Sequence, residues 1–449
     1  MNYDIKVGFS RVNITPPLGI RIAGYYVERI ADGVLDELSA NAIAVSKNDK
    51  TFFLISVDHI GLRDVVLNKV RALVSKNLNV DEDCLLIHST HTHQGPLLAL
   101  DDNATDIEKI YTEMLGDKIA SACKMAIDDL CPTKVGYAFS KAENVAFNRR
   151  YLMKDGSTKT NPGVLNPDIV KSIGLLDESV NVVRFARENK ADIVLINFAN
   201  HPDTIGGNKI SGDWPALTRK VFENAIEDTI CVVFNGTQGD INHVNVFPKG
   251  GDLNGMFNDF DDVTRGYSHA KHVANVVAAS AMCVYEKVKF VDVDDIGSKI
   301  TIIDIPTNKA KPEEMEEAYY IDKMHREGKD AELPYKGMML TTMVAGAQRK
   351  IRLLSWPETL PLKFSTSYIG PIAFAGIPGE PFAGVGIELK KAKGWEMICP
   401  CCLTNGCMGY FPLKDSYEEG GYEANTSQFK AGTAEIIMEE GKKILENLK

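Results

Sequence analysis

Five stretches of this 449-residue sequence are apolar throughout for about the length of one β-strand and then break off into polar, chemistry-bearing side chains. TFFLISV runs into Asp58 and His59, CLLIH into Ser89-Thr90-His91-Thr92-His93, and IVLINFA into Asn200-His201-Pro202-Asp203. ICVVFNG runs into Gln238-Gly239-Asp240, and IAFAGIP into Gly379-Glu380. A run with no polar alternation has no face to give to water, so each predicts a strand buried on both faces of a sheet covered by helices. Helical patterns occupy the intervals, over roughly 105–130, 215–228, 269–288, 311–327, 339–354, 381–392 and 427–447. This alternation predicts an α/β fold with a mixed β-sheet core covered by helices. In such sheets ligands collect beyond the carboxyl ends of strands, where all five polar clusters fall.

No long-period repeat, low-complexity tract or Ser/Pro-rich linker divides the chain, so residues 1–449 read as one domain with loop insertions. The net charge of −11, with basic residues scattered, argues against a nucleic-acid footprint or an anionic-membrane patch. The start, MNYDIKVGFSRVNITPP, lacks a cationic flank followed by an apolar core, and no segment approaches the roughly 20 apolar residues of a membrane span. A cytoplasmic protein with a small-molecule substrate is expected; nothing in the sequence bears on oligomeric state. Nine cysteines, an odd number, argue against a disulfide framework. Four of them, Cys399, Cys401, Cys402 and Cys407, crowd into CPCCLTNGC, which fits no paired CxxC zinc pattern and reads as reduced thiols in a turn near the site.

His88, His91 and His93 fall within six positions, with His59 and His201 at the ends of other expected strands. In extended backbone His91 and His93 share a side, so either or both face a metal, whereas His88 still belongs to the apolar run and reads as a packed strand residue. A third ligand from a distant loop strengthens an H-x-H pair; His201 and Glu380 are the best candidates, because catalytic zinc takes nitrogen and oxygen ligands and keeps one position open. Asp213, followed by Trp214 and Pro215, is either a helix N-cap or a polar site residue. His325, in a charged helical stretch, reads as surface.

The ordered series VGFSRVNITPP (7–17), THTHQGP (90–96), Asn148-Arg149, NFANHP (197–202), SGD (211–213), NGTQGDIN (235–242), PGE (378–380) and GYFPLKDSYEEGGYE (409–423) resembles the catalytic domain of the neutral/alkaline, non-lysosomal ceramidases. The resemblance implies zinc bound by one histidine of the HTH, taken as His91, together with His201, Glu380 and Tyr410. The tyrosine follows from a Tyr-x6-Tyr-x4-Tyr-Glu series reproduced by Tyr410, Tyr417 and Tyr422-Glu423. It further implies that Tyr422 contacts the scissile group, that Arg149 lies in the substrate pocket, and that His93 partners the attacking water or a substrate hydroxyl. His59, His243 and Asp240 join the catalytic candidates, and Asn148, Asp213, Gln238 and Asn242 the substrate-binding ones.

Two departures bear on the chemistry. Ceramidases carry a serine in a GDxSPN segment, where Asn242 stands here, so the serine-dependent part of ceramide chemistry does not transfer. The adjacent His243 either replaces that serine in proton transfer or bonds a loop carbonyl. The additional β-sandwich domain and secretion signal typical of the family are also not seen, which moves the expected substrate away from a membrane lipid. Zinc lowers the pKa of a bound water from 15.7 to about 7, so the expectation is a zinc-dependent hydrolase cleaving an amide, most simply an N-acyl bond. The alternatives are the same scaffold acting on an ester, glycoside or elimination substrate, and a non-catalytic ligand-binding protein, which predicts little bound metal. No GxSxG elbow supports a serine nucleophile.

Overall fold

The computed structural model describes residues 5–448. All five apolar runs are strands, and they divide between two sheets. The first holds β1 (Ile5–Asn13), β2 (Ser39–Lys47), β3 (Lys50–Val57), β4 (Leu85–Ser89), β5 (Cys131–Lys141), β6 (Ser179–Arg187), β7 (Asp192–Phe198), β8 (Thr229–Asn235) and β9 (Lys289–Val291). Its order is β8-β7-β6-β5-β1-β2-β3-β4, with β9 added to β5. The second is β10 (Ile296–Pro306), β11 (Thr359–Ile369), β12 (Ile372–Gly376) and β13 (Met397–Cys401), in that order.

Most neighbours are antiparallel, but β3/β4, β7/β8 and β12/β13 are parallel pairs. The five apolar runs are members of these three pairs, and the two strands of a parallel pair release their chains on the same side. Hydrogen bonds tie the three exits together: Ser89 N–H donates to the Leu403 carbonyl at 3.1 Å, Cys402 N–H to Asn235 O at 3.2 Å, and Asn235 Nδ2 to Thr90 O at 3.2 Å. His88 is a strand residue as expected, its Nδ1 donating to the Cys402 carbonyl at 2.8 Å and its Nε2 accepting from Asn235 N–H at 2.9 Å. It therefore staples two sheets and two parallel pairs at one point.

Helices cover one face of the first sheet. α1 (Asp64–Leu78) and α2 (Asp106–Asp128) set Val66, Leu67, Val70, Leu115 and Ile119 against Ile55, Val57, Leu85 and Ile87. α3 (Asp213–Ala225) and α4 (Tyr267–Tyr285) set Trp214, Phe222, Val273 and Val277 against Val194, Ile196, Phe198 and Val233. The opposite face packs on the second sheet, with Phe52, Leu54, Leu86 and Phe234 meeting Ile369, Ile372, Phe374 and Met397. In the β10–β11 connection, α5 (Met315–Arg326) and α6 (Gly337–Leu353) make a small core of their own around Ile321, Met324 and Val344. α7 (Ala383–Leu389) and α8 (Thr433–Glu446) close the outer face of the second sheet through Val385, Leu389, Ile437 and Leu445.

The α/β class with a mixed sheet is therefore as expected, and the layering is helix, sheet, sheet, helix. An apolar run reports burial on both faces without saying what buries it; here the second sheet covers one face of the first. Helix α1 was not expected, although Val66, Leu67, Val70 and Val74 carry a helical stripe. The last helix begins at Thr433 rather than near 427, after Gly432 in the left-handed region at φ 96°. Among the described residues no helix is long and apolar enough to cross a membrane.

Candidate metal centre

The exits of β4 and β7 bring three imidazoles to one point. His91 sits two residues past β4 in left-handed backbone, φ 74°, an uncommon conformation that swings its side chain back toward the sheet end. Its Nδ1–H donates to the Ile60 carbonyl at 2.6 Å, which leaves the Nε2 lone pair facing inward. That Nε2 lies 3.1 Å from His201 Nε2, 3.3 Å from His93 Nε2 and 3.1 Å from Glu380 Oε2. Glu380 Oε2 is 3.8 Å from His201 Nε2. His91, His93 and His201 are the group among the described residues whose ligand atoms lie close enough together to hold a metal ion.

These distances fit a cation. Four ligands about 2.1 Å from a tetrahedral ion stand roughly 3.4 Å apart, which is the spacing around His91. The chemistry of the donors agrees: an imidazole lone pair facing a carboxylate oxygen is repulsive unless a proton or a cation lies between. The side chain of Glu380 is 8 % exposed and that of His201 1 %, so water is a poor substitute.

Burial pushes the imidazolium forms down: His93 to about 3, His88 and His59 to about 4, and His201 well below its ordinary value, with the neighbouring Arg149 adding to the effect. His91 is the exception. Burial opposes its protonation too, but Glu380 outweighs burial and raises it. Glu380 is held below the usual carboxylate range because His91 and then Arg149 overcome the burial that would raise it. Neutral His201 and His93 rings and an ionised Glu380 are the forms a divalent ion requires, and at His91 a cation would take the place of the proton that Glu380 favours.

The remaining expected ligand, Tyr410, is the register partner of Glu380 in a short parallel bridge, and Glu380 N–H donates to the Gly409 carbonyl at 2.8 Å. Arg149 donates to the Tyr410 phenol at 3.1 Å, to the Gly239 carbonyl at 2.9 Å and to Glu423 Oε1 at 2.6 Å, and its Nη1 stands 3.4 Å from His201 Nδ1. Tyr422 packs edge-on against Tyr410 with ring centres 5.6 Å apart. His91, His93, His201, Glu380, Tyr410 and Arg149, all buried, thus form one constellation with the half-buried Tyr422, drawn from segments more than 300 residues apart.

No family model matches the chain, and no curated protein matches it. Solved structures do. A crystal structure of neutral ceramidase from Pseudomonas aeruginosa superposes with a TM-score of 0.74 at 16% identity, covering 100% of this chain and 75% of that chain. A structure described as ceramidase complexed with C2 gives 0.72 at 15%, with the same coverage. The fold is that of neutral ceramidase.

Around the constellation, the ceramidase fold of this chain is held by residues the sequence placed in the site itself. Asp240 spends both carboxylate oxygens on structure, accepting from Ala383 N–H at 2.8 Å and Asn148 Nδ2 at 3.0 Å, while its carbonyl accepts from Arg149 N–H at 2.9 Å. Burial raises its pKa to about 6. Asp213 accepts from Thr204 N–H at 2.9 Å and Trp214 N–H at 2.6 Å, so it opens α3 and pins the His201 loop at once. Burial raises it to about 7. His243 donates its Nε2–H to the Thr264 carbonyl at 2.8 Å, the loop-carbonyl alternative. Asn242 donates to Asn161 Oδ1 at 2.7 Å, Gln238 Nε2 lies 3.8 Å from Cys402 Sγ, and His59 turns Nδ1 to the Gly61 backbone.

All nine cysteines are free. Cys399, Cys401 and Cys402 are buried, which pushes their thiols upward, whereas Cys407 is exposed, and among the described residues these cysteines form no group spaced to hold a metal. The sequence missed Asp203, although it stands in the quoted NHPD. Its carboxylate lies 3.7 Å from His93 Nδ1, accepts from the Tyr25 hydroxyl, and takes Arg265 Nε at 3.0 Å and Nη2 at 2.8 Å. Arg265 in turn grips Asp261 at 2.7 and 3.0 Å. An Asp next to a metal-type histidine was the only available signal for this network.

Proposed function

We propose that the protein is a zinc-dependent hydrolase that cleaves an N-acyl amide. The observation that supports this reading best is the convergence of His91 Nε2, His201 Nε2 and Glu380 Oε2 within 3.1–3.8 Å of one another, spacings suited to three ligands of one tetrahedral ion, with His93 Nε2 beside them 3.3 Å from His91 Nε2, on a neutral ceramidase fold. Nitrogen and carboxylate donors suit zinc and other first-row divalent ions alike, and zinc is the ion that the resemblance to the ceramidases implies. His91, His201 and Glu380 are assigned as ligands, with the Tyr410 phenol beside them. Such an ion supplies a Lewis acid for the carbonyl and a water acidified to near neutrality.

The chain's own residues supply the rest. His93, buried and neutral, accepts the proton released as water attacks and returns it to the departing amine nitrogen. Tyr422 and Arg149 carry the donors for the developing oxyanion; Arg149 is charged throughout, because Tyr410 and Glu423 more than offset its burial. Asp240, Asn148 and Asp213 hold the loops that aim these groups.

Metal content is measured by mass spectrometry on protein purified without chelators or a polyhistidine tag, alongside His201→Ala and Glu380→Ala. The expected result is about one zinc per chain, lost in both folded variants, with hydrolysis of at least one member of an N-acyl panel that disappears with the metal. No bound metal even after zinc is supplied would overturn the reading.

A further inference from the structure

Tyr422 has two environments. One side packs on Tyr410; the other lines a cleft of about 570 Å³ between the 158–163 loop, Asp261 and Asp262, and the start of α6. The cleft is coupled to the constellation through its floor. Asn161 N–H donates to the Arg149 carbonyl at 2.9 Å, Tyr422 N–H to Thr160 Oγ1 at 3.2 Å, and Thr160 Oγ1 to Glu423 at 2.9 Å. Thr160 and Asn161, which line the cleft beside Tyr422, are thus bonded directly to Glu423 and Arg149.

The lining is mixed, apolar surface interleaved with charged side chains of both signs. Lys159, Lys336 and Asp262 stand at the rim, all exposed, and none of the three side chains makes a hydrogen bond or ion pair among the described residues. Asn161 accepts from Asn242 through Oδ1, which leaves its amide donors uncommitted. Tyr335 and Tyr422 supply two aromatic surfaces, alongside the apolar Pro162, Pro334, Met338 and Met339. An alkyl chain would need a continuous apolar wall. Hydroxyl groups, each both donor and acceptor, match ammonium and amide donors, a carboxylate acceptor and aromatic faces for the C–H side of a ring.

We propose that this cleft receives a polyhydroxylated, sugar-like portion of the substrate, which makes the N-acyl compound an acylated amino sugar or a related aminopolyol. The assignment deepens the amide-hydrolase reading and rests on it for the bond cleaved, but occupancy of the cleft is measurable by itself.

Saturation-transfer NMR on the zinc-loaded full chain compares N-acetylglucosamine with N-acetylhexylamine, which carries the same acyl group on an apolar amine, and acetate release is followed in the same samples. The amino sugar is expected to receive saturation on the wild type, with a several-fold weaker effect on the Asp262→Asn/Lys336→Ala double variant, and N-acetylhexylamine to give little on either. Asparagine retains tolerance for the φ of 62° at position 262, so the double variant should fold. Equal or stronger saturation of N-acetylhexylamine, or an amino-sugar signal unchanged in the double variant, would overturn the cleft assignment. Amino-sugar binding that depends on the cleft but releases no acetate would instead count against the hydrolase reading and leave the cleft assignment standing.

Discussion

The carboxylate of Asp203 faces His93 Nδ1 at 3.7 Å while both of its oxygens are held by Arg265. The Arg265 guanidinium lies over the Tyr25 ring, 4.7 Å from its centre, and Tyr25 donates to the same carboxylate. Asp203 is thus a fixed negative charge behind a ring whose Nε2 joins the His91–His201 cluster. Carboxylates behind functional histidines set ring orientation and basicity, and their loss typically costs about 10–100-fold. Asp203→Asn is expected to lower kcat by about that factor with zinc content retained, and Asp203→Glu to recover part of it. An Asp203→Asn enzyme with wild-type kcat would show that Arg265 and Tyr25 alone orient the ring.

Arg149 and Glu423 are both buried, with side chains 6 % and 0 % exposed and a 2.6 Å contact. Removing one partner strands the other charge, which typically costs about 3–5 kcal/mol. Arg149→Met should therefore be destabilised by about that amount in urea titrations. Arg149→Met combined with Glu423→Gln should regain much of the stability while remaining inactive, because the oxyanion donor is still missing. A single variant as stable as the wild type would mean that the buried pair contributes no net stability to the fold.

How much of this was legible in the sequence depends on the range of each interaction. The strands announced themselves through runs such as TFFLISV and ICVVFNG, because burial on both faces leaves a local signature. His91, His201 and Glu380 were legible because each follows such a run directly. The stacking of two sheets was not, since the contact of Phe234 with Phe374 has no local trace. Nor was the commitment of Asp240 and Asp213 to loop backbone: a carboxylate beside a strand end looks the same whether it meets a substrate or the Ala383 and Thr204 amides. Asp203 was unread for a related reason, since its partner Arg265 lies 62 residues away in sequence.

Acid stability offers a check far from the site. Glu108 closes the capping box of α2 with Thr105 and accepts from Arg21 at 2.6 and 2.7 Å. The hydrogen bond from Arg21 is the largest influence holding its pKa near 2, below the ordinary 4.5. A depressed carboxyl contributes stability that is complete above its unfolded pKa and is lost as pH falls through the folded one. The stability gap between wild type and Glu108→Gln, read by thermal unfolding, should be constant at neutral pH and shrink between pH 4.5 and 2. A gap that widens on acidification would contradict the pairing.

Gly24 tests whether the orientation of His93 matters independently of its electrostatics. At φ 111° this glycine has a backbone that other residues rarely adopt, and a Cβ placed there would stand 2.7 Å from His93 Nδ1. Gly19, at φ 86°, has nothing within 4 Å of such a Cβ. Both Gly→Ala variants pay a left-handed backbone cost of about 1–2 kcal/mol. Gly24→Ala alone must also displace the imidazole. Gly24→Ala should therefore lose more stability than Gly19→Ala, and Gly24→Ala alone should lose kcat, by an order of magnitude or more, since displacements near 1 Å at a reacting group cost about 100-fold. Equal activity in the two would mean that His93 tolerates displacement, and the proton-transfer role would pass to another group.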